Sequence, residues 1–378
     1  MAIDHPQDAL PPGYRLGNYE ILRVLGRGGF GLTYQARRAG VAGDMVAIKE
    51  LYPHGLACRA PNMAVVPLPG TPEAQISCTT DMFLREAKLI CDVDHPNIVR
   101  GVEAFHENGT GYLVMRYVSG RNLRESLRDP AGFRPNARSL PALLSPLLDA
   151  LDTLHRHDLL HCDIKPDNIF LGVGLEPILI DLGSARWRVA GAGVEDAATY
   201  SQYFSAIEQV TDRFGTIGPW TDIYQLSAVV YRCMAGGKLP DAVDRAAAAE
   251  DPFSPLAEIP EVTAAYPRPL IDAIDRGLRI FPKDRPQSVA EWRQPMEPVL
   301  PRPAHVTQPL PRAASRQVPQ AQAGGHTQPS PLPQTDQMPS EPTPSTGSSP
   351  DFLLWVAGGL LVLIVLTAVV YVAGEMGW

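Results

Sequence analysis

The sequence predicts an α+β fold of two lobes, a small β-rich one followed by a larger helical one, and then a disordered Pro-rich linker and one transmembrane helix. Three observations predict it. Strand-like runs come first along the chain and helix-like runs later, which segregates the two element types. Apolar periodicity stops near residue 297, where Pro, Gln, Ser and Thr take over. A charge-free apolar run then fills residues 352–372. The boundaries fall into an N-terminal extension (1–18), a folded domain (19–297), a linker (298–350), a membrane helix (351–373) and a short tail (374–378).

Residues 19–25, 32–36 and 45–49 read as strands, each rich in apolar and β-branched residues between glycine-bearing turns. Residues 52–80 read as an insertion with proline-rich turns. In residues 83–90 a helix is expected, with Phe83, Ala87 and Ile90 on one face and Glu86 beside it. Residues 140–155 and 223–234 have the spacing of amphipathic helices. The linker cannot bury enough apolar surface to offset its ordering entropy, and coil scaling gives it a reach of ~40 Å. The apolar run spans roughly 30 Å at helical rise, the thickness of a bilayer core. Trp355 and Tyr371 lie near its ends, where aromatic belts form, and Arg302, Arg312 and Arg316 precede it while no Lys or Arg follows. That bias favours an orientation with the folded domain in the cytoplasm.

A net charge of −8 argues against a nucleic-acid partner, which favours a basic surface. The five cysteines form no CxxC pair and leave an odd count, the usage of reduced cytosolic thiols. No basic start with an apolar core opens the chain, so no signal peptide is expected.

Gly26, Arg27, Gly28, Gly29, Phe30 and Gly31 lie between the first two strands. Glycines there let a backbone approach phosphates closely. A dinucleotide-binding loop would open a helix, whereas a strand follows this one, so a hairpin flap is expected. Lys49 ends the third strand, and Glu86 lies in a helical pattern whereas Glu50 and Glu73 lie in none. Further on, His161-Cys162-Asp163-Ile164-Lys165-Pro166-Asp167-Asn168 packs carboxylates, a cation and an amide into eight residues, and an apolar run ends in Asp181-Leu182-Gly183. Phosphoryl transfer needs such groups: a carboxylate to orient a hydroxyl, a cation against the moving charge, and oxygen ligands for magnesium.

These motifs, in this order over residues 19–297, resemble the eukaryotic-like Ser/Thr protein kinases, and among them the bacterial membrane-anchored ones. The resemblance implies a protein-kinase-like fold and transfer of the γ-phosphoryl group of ATP to Ser/Thr hydroxyls of protein substrates, with autophosphorylation. It assigns Asp163 and Lys165 to catalysis, Asn168 and Asp181 to Mg2+ (with Mn2+ as an alternative), and Gly26 to Gly31, Lys49 and Glu86 to ATP, with Glu86 the expected partner of Lys49. Met115 takes the place behind the adenine, with Arg116 and Val118 in the hinge that contacts the base through its backbone. Ser201 supports Asp163 and Lys165, Glu208 pairs with Arg285, and Asp222 braces the catalytic loop. Partners follow: protein substrates, the inner cell membrane through a single pass, and optionally a second copy of the chain in a homodimer. Cys162 departs from the family's frequent Arg, which in relatives meets a phosphorylated activation loop; activation here is expected not to use that contact. The competing readings are a pseudokinase that binds nucleotide, a small-molecule kinase and a structural tether. Lys49, Glu86, Asp163, Asn168 and Asp181 together argue against the first, the segment ending in Ala206-Ile207-Glu208 against the second, and the whole constellation against the third.

Overall fold

Period-two alternation of apolar and polar residues builds the first lobe as a sheet with two covered faces. The computed structural model describes residues 8–28, 31–41, 43–172, 174–182, 201–237 and 239–301. The chain divides into two units, Met1–Thr307 and Gln308–Trp378, and every described residue belongs to the first.

The strands are β1 (Arg15–Leu16), β2 (Tyr19–Gly28), β3 (Gly31–Arg38), β4 (Met45–Leu51), β5 (Ala57–Arg59) and β6 (Val65–Pro67). Helix α1 (Glu73–Asp92), β7 (Gly101–Glu107) and β8 (Thr110–Arg116) complete the lobe. Six strands pair antiparallel in the order β1-β2-β3-β4-β8-β7, and β5 and β6 form a separate hairpin. Alternation assigns side chains to faces. Ile48, Tyr112 and Val114 belong to a cluster with Leu10, Ala57, Val65 and Ile76, so the N-terminal extension and the β5–β6 hairpin cover that face. Leu51, Leu113 and Met115 belong to the other cluster, with Phe83, Ala87 and Ile90 of α1. Close approach explains Gly111, where an added Cβ would lie 2.6 Å from the Phe83 ring. Gly31 is likewise fixed by the backbone beside it, since a Cβ there would fall 2.1 Å from the Glu50 carbonyl oxygen.

The second lobe is mainly helical. Its elements are β9 (Arg121–Asn122), α2 (Leu123–Arg128), α3 (Ser139–Arg156), β10 (Ile169–Leu171), β11 (Pro177–Leu179), α4 (Pro219–Ala235), α5 (Ala242–Ala247), α6 (Pro260–Ala265), α7 (Arg268–Gly277) and α8 (Val289–Arg293). Leucines at helical spacing make α3 amphipathic, and it buries Leu140, Leu144, Leu147, Leu148, Leu151 and Leu154. Tyr224 and Trp292 join that core from α4 and α8. The loop after α1 ties the lobes, because Leu179 N–H donates to Asn97 O at 2.8 Å and Val99 N–H to Leu179 O at 2.8 Å.

The expected order of strands then helices is the one observed. One expectation is corrected: α1 begins at Glu73, so Glu73 is helical, and residues 57–67 of the supposed irregular insertion form a hairpin. Strands of three residues, one of them ending in Pro67, carry too little periodicity to be read as such. Among the described residues no helix is long and apolar enough to cross a membrane. The linker and the apolar run at 352–372 lie outside the described residues.

Candidate active site

The glycine-bearing turn is a hairpin: Gly26 pairs with Thr33, Arg27 with Leu32 and Gly28 with Gly31. Gly29 and Phe30 lie outside the described residues. A Cβ at Gly26 or Gly28 would meet no protein atom within 4 Å, so packing does not demand these glycines. Their smallness keeps backbone open to a close-approaching group, which fits a phosphate cradle. The Arg27 side chain reaches away along the lobe, to Asp8 at 3.0 Å and to the His54 ring at 3.1 Å. Sequence reasoning missed both partners, which lie in the N-terminal extension and the insertion.

Lys49 sits on β4 between Thr33 of β3 and Leu113 of β8. Its parity places it on the face opposite Glu50. Glu50 is buried and accepts from Tyr34 Oη and Tyr112 Oη at 2.6 Å each and from Arg59 Nη2 at 2.5 Å. The ion pair of Lys49 is with Asp181, where Glu86 was expected. Glu86 is buried on α1 and acts on Lys49 through its charge. Desolvation in the cleft would by itself lower the Lys49 pKa and raise that of Asp181. Their mutual charge and hydrogen bond outweigh it, holding the lysine above its ordinary value and the carboxyl below its own. Asp181 adopts φ 65°, the left-handed region, which turns it out of the strand direction of β11.

Asp163, Lys165, Asn168 and Ser201 converge. Lys165 Nζ lies 2.7 Å from Asp163 Oδ2 and 3.0 Å from Oδ1. Ser201 Oγ donates to Asp163 Oδ1 at 2.9 Å and accepts from Lys165 Nζ at 3.1 Å. Asn168 Nδ2 donates to Asp163 Oδ2 at 2.9 Å and to its backbone oxygen at 2.8 Å. The amide nitrogen is thereby committed to Asp163, and the amide oxygen is the end suited to a hard cation. Asn168 and Asp181 are held near each other, since Ile180 N–H donates to Asn168 O at 3.0 Å. One amide oxygen and one carboxylate suit magnesium, which keeps waters and substrate phosphates in its shell.

The loop that carries Asp163 is anchored from below. Asp222, fully buried on α4, accepts from Cys162 N–H at 2.7 Å, His161 N–H at 3.0 Å and His155 Nε2 at 2.8 Å. His161 Nε2 lies 3.0 Å from Ile180 O and its Nδ1 3.3 Å from Asp163 N. A carbonyl only accepts, so the proton is on Nε2, and the ring bridges the loop to the strand before Asp181. Glu208 and Arg285 form a buried bidentate pair at 2.7 and 3.1 Å. Thr221 Oγ1 adds a bond to Glu208 at 2.7 Å, and the Arg285 guanidinium lies over Tyr224. Met115 is buried at the end of β8, Arg116 is exposed, and Val118 is half-buried against the core. Arg116 N–H is taken by Arg100 O at 2.9 Å. Leu182 is buried in the cluster that contains the face of α1. Gln209 and Gln225 reach the same loop; Gln209 stood out in the sequence only as part of the Ile-Glu-Gln motif and Gln225 not at all, because an amide has no recognisable spacing of its own.

A family profile described as "Protein kinase domain" matches residues 19–291. The chain is 30% identical over 323 residues to "Serine/threonine-protein kinase pkn2" of Myxococcus xanthus, covering 78% of this chain and 35% of that protein. It is 30% identical over 384 residues to "Serine/threonine-protein kinase PknB" of Mycolicibacterium smegmatis, covering 97% of this chain and 56% of that one. The chain thus spans from about a third to just over half of these relatives' lengths. Among solved structures, "PpkA-294 apo form" has a TM-score of 0.65 and 33% identity, covering 77% of this chain and 100% of that one. A Mycobacterium tuberculosis PknI kinase domain, at 23% identity and a TM-score of 0.54, shares the fold.

Proposed function

Because the chain belongs to the protein kinase domain family, we propose that it is a serine/threonine protein kinase that uses ATP and Mg2+, phosphorylates protein hydroxyls including its own, and is held at the inner cell membrane by residues 351–373. The observation that carries the reading is the convergence of Lys165, Asn168 and Ser201 on the Asp163 carboxylate, beside the Lys49–Asp181 pair. A binding module has no need of a carboxylate oriented from both sides.

When bound, ATP supplies the γ-phosphoryl group and magnesium neutralises its charge. Gly26, Gly28 and Gly31 would cradle the phosphates, Lys49 would pair with them, and Asn168 and Asp181 would ligate the metal. Asp163 orients the substrate hydroxyl and takes its proton. Ser201 and Asn168 hold the carboxylate in one rotamer, so less ordering remains when substrate arrives. Lys165 presents its ammonium beside the same carboxylate, where negative charge develops. Asp181 would have to give up its bond to Lys49 in order to ligate the metal.

The test is incubation of the full chain with labelled ATP, magnesium and a generic protein acceptor. Wild type transfers label, and Asp163→Asn loses at least ~100-fold of that rate, the usual scale for a missing general base. Lys49→Ala loses transfer as well. A wild type that binds ATP yet labels neither itself nor the acceptor would leave the nucleotide-binding module as the function. For the anchor, a reporter fused after Trp378 is active outside the cytoplasm; activity inside only would sink the proposed orientation.

A further inference from the structure

Cys162 precedes the proposed catalytic aspartate with φ 56°, a left-handed conformation that L-residues adopt only at a cost. The residue is buried, so something in the interior must hold it there. Its N–H goes to Asp222. Its carbonyl oxygen receives two side-chain donors, Gln209 Nε2 at 2.7 Å and Gln225 Nε2 at 3.0 Å.

The rest of each amide is also committed. Gln225 Nε2 donates to Gln209 Oε1 at 2.8 Å, and Gln225 Oε1 accepts from Ile164 N–H at 2.9 Å. Gln209 Oε1 accepts in addition from Ala206 N–H at 2.9 Å. One side chain, Gln225, therefore grips the Cys162 carbonyl before Asp163 and the Ile164 amide after it. Those groups belong to the two peptide planes that flank Asp163, and fixing both planes fixes the backbone dihedrals of Asp163 itself. The second side chain, Gln209, ends the turn Ile207–Gln209 that follows Ser201. The clamp thus joins α4, the end of the segment carrying Ser201, and the catalytic loop.

We infer that Gln209 and Gln225 are positioning residues for Asp163, an uncharged clamp that sets the catalytic loop without a charged side chain at position 162. Neutral amides suit the task, because a satisfied amide network is stable in a dry interior whereas an arginine there would require an anion. The clamp acts with no phosphate, so its grip is present as soon as the chain folds. The inference rests on the kinase reading of the same site.

The experiment uses the full chain with Gln225→Met, Gln209→Met and the double substitution. Methionine keeps the length of the side chain and removes every bond. Phosphoryl-transfer kcat falls by about 10- to 100-fold in each single variant, the scale of an ångström misplacement, while the Kd for ATP stays at the wild-type value. The double variant loses less than the product of the two, because the glutamines share a bond. Amide hydrogen exchange at Asp163 and Ile164 accelerates in all three. Folded variants with wild-type kcat and unchanged exchange overturn the clamp, as does a loss of kcat that appears only with loss of ATP binding. Should Gln225→Met not fold, Gln209→Met at the less buried end decides alone. A wild type that transfers no label fails the kinase reading instead, and the exchange comparison still decides the clamp.

Discussion

Asp222 accepts three N–H donors on two oxygens, at the centre of the loop that carries Asp163. Burial alone would push its carboxyl up. The hydrogen bond and charge of His155, with His161 and the Cys162 amide, more than reverse this and hold it below the ordinary value of 3.8. A carboxyl lowered on folding stabilises the fold above its unfolded pKa, and that contribution is lost as pH falls through the folded value. Asp222→Asn should therefore lower the melting temperature clearly at pH 7, and the gap to wild type should narrow as pH drops below 3.8. Thermal melts across that range check it; a gap independent of pH would mean the carboxylate charge is not what holds the loop. The residue types of this site were legible as single letters. Asp163, Lys165, Asn168 and Asp181 announced themselves by close spacing, and Ser201, Glu208, Asp222 and Arg285 by their place in the resemblance. The joint role of Gln209 and Gln225 was not legible, since their partners are backbone groups 47 and 63 residues away.

The elements are joined by a few buried charged pairs whose worth depends on where they lie. Arg59 of β5 reaches Glu50 of β4, and its other nitrogens bond Asp8 O at 2.5 Å and Met63 O at 2.9 Å. The pair ties the hairpin and the N-terminal extension to the strand of Lys49. Arg59→Met strands a buried carboxylate and should cost ~3–5 kcal/mol, read as a lower urea midpoint. Arg100→Ala removes an exposed pair with Asp94 and should cost at most ~1 kcal/mol. Equal losses in the two variants would refute the argument from burial. Glu208→Gln should resemble Arg59→Met in size, because Arg285 would be left buried against Tyr224, Arg279 O and Ile280 O. Element types were legible wherever periodicity ran long, as in β2 to β4, α3 and α4. The β5–β6 hairpin and the first turns of α1 were missed, because three-residue strands, one ending in proline, and a helix entered through Thr71 and Pro72 give too short a pattern.

For the whole molecule, the described fold closes on itself before the linker: Trp292 and Met296 are buried in the main core, and Arg293 pairs with Asp149 and Glu297. Ending the chain after Pro301 should leave the melting temperature and phosphoryl transfer of the folded unit unchanged while abolishing its sedimentation with membranes. Retained sedimentation would point to another attachment. None of the five cysteines forms a disulfide, and burial pushes Cys233 up to about 12, so reducing agent should not shift the melt. The sequence by itself determined the two-lobed α+β class, the family and most of the chemistry-bearing residues, because short-range spacing and periodicity are written along the chain. Only the tertiary structure decided that Lys49 pairs with Asp181, that the insertion and the extension cover the sheet through Arg59 and Asp8, and that two glutamines clamp Cys162. Each of these joins residues far apart in the chain, and contact across such separations is set by how lobes and layers pack, which no local pattern records.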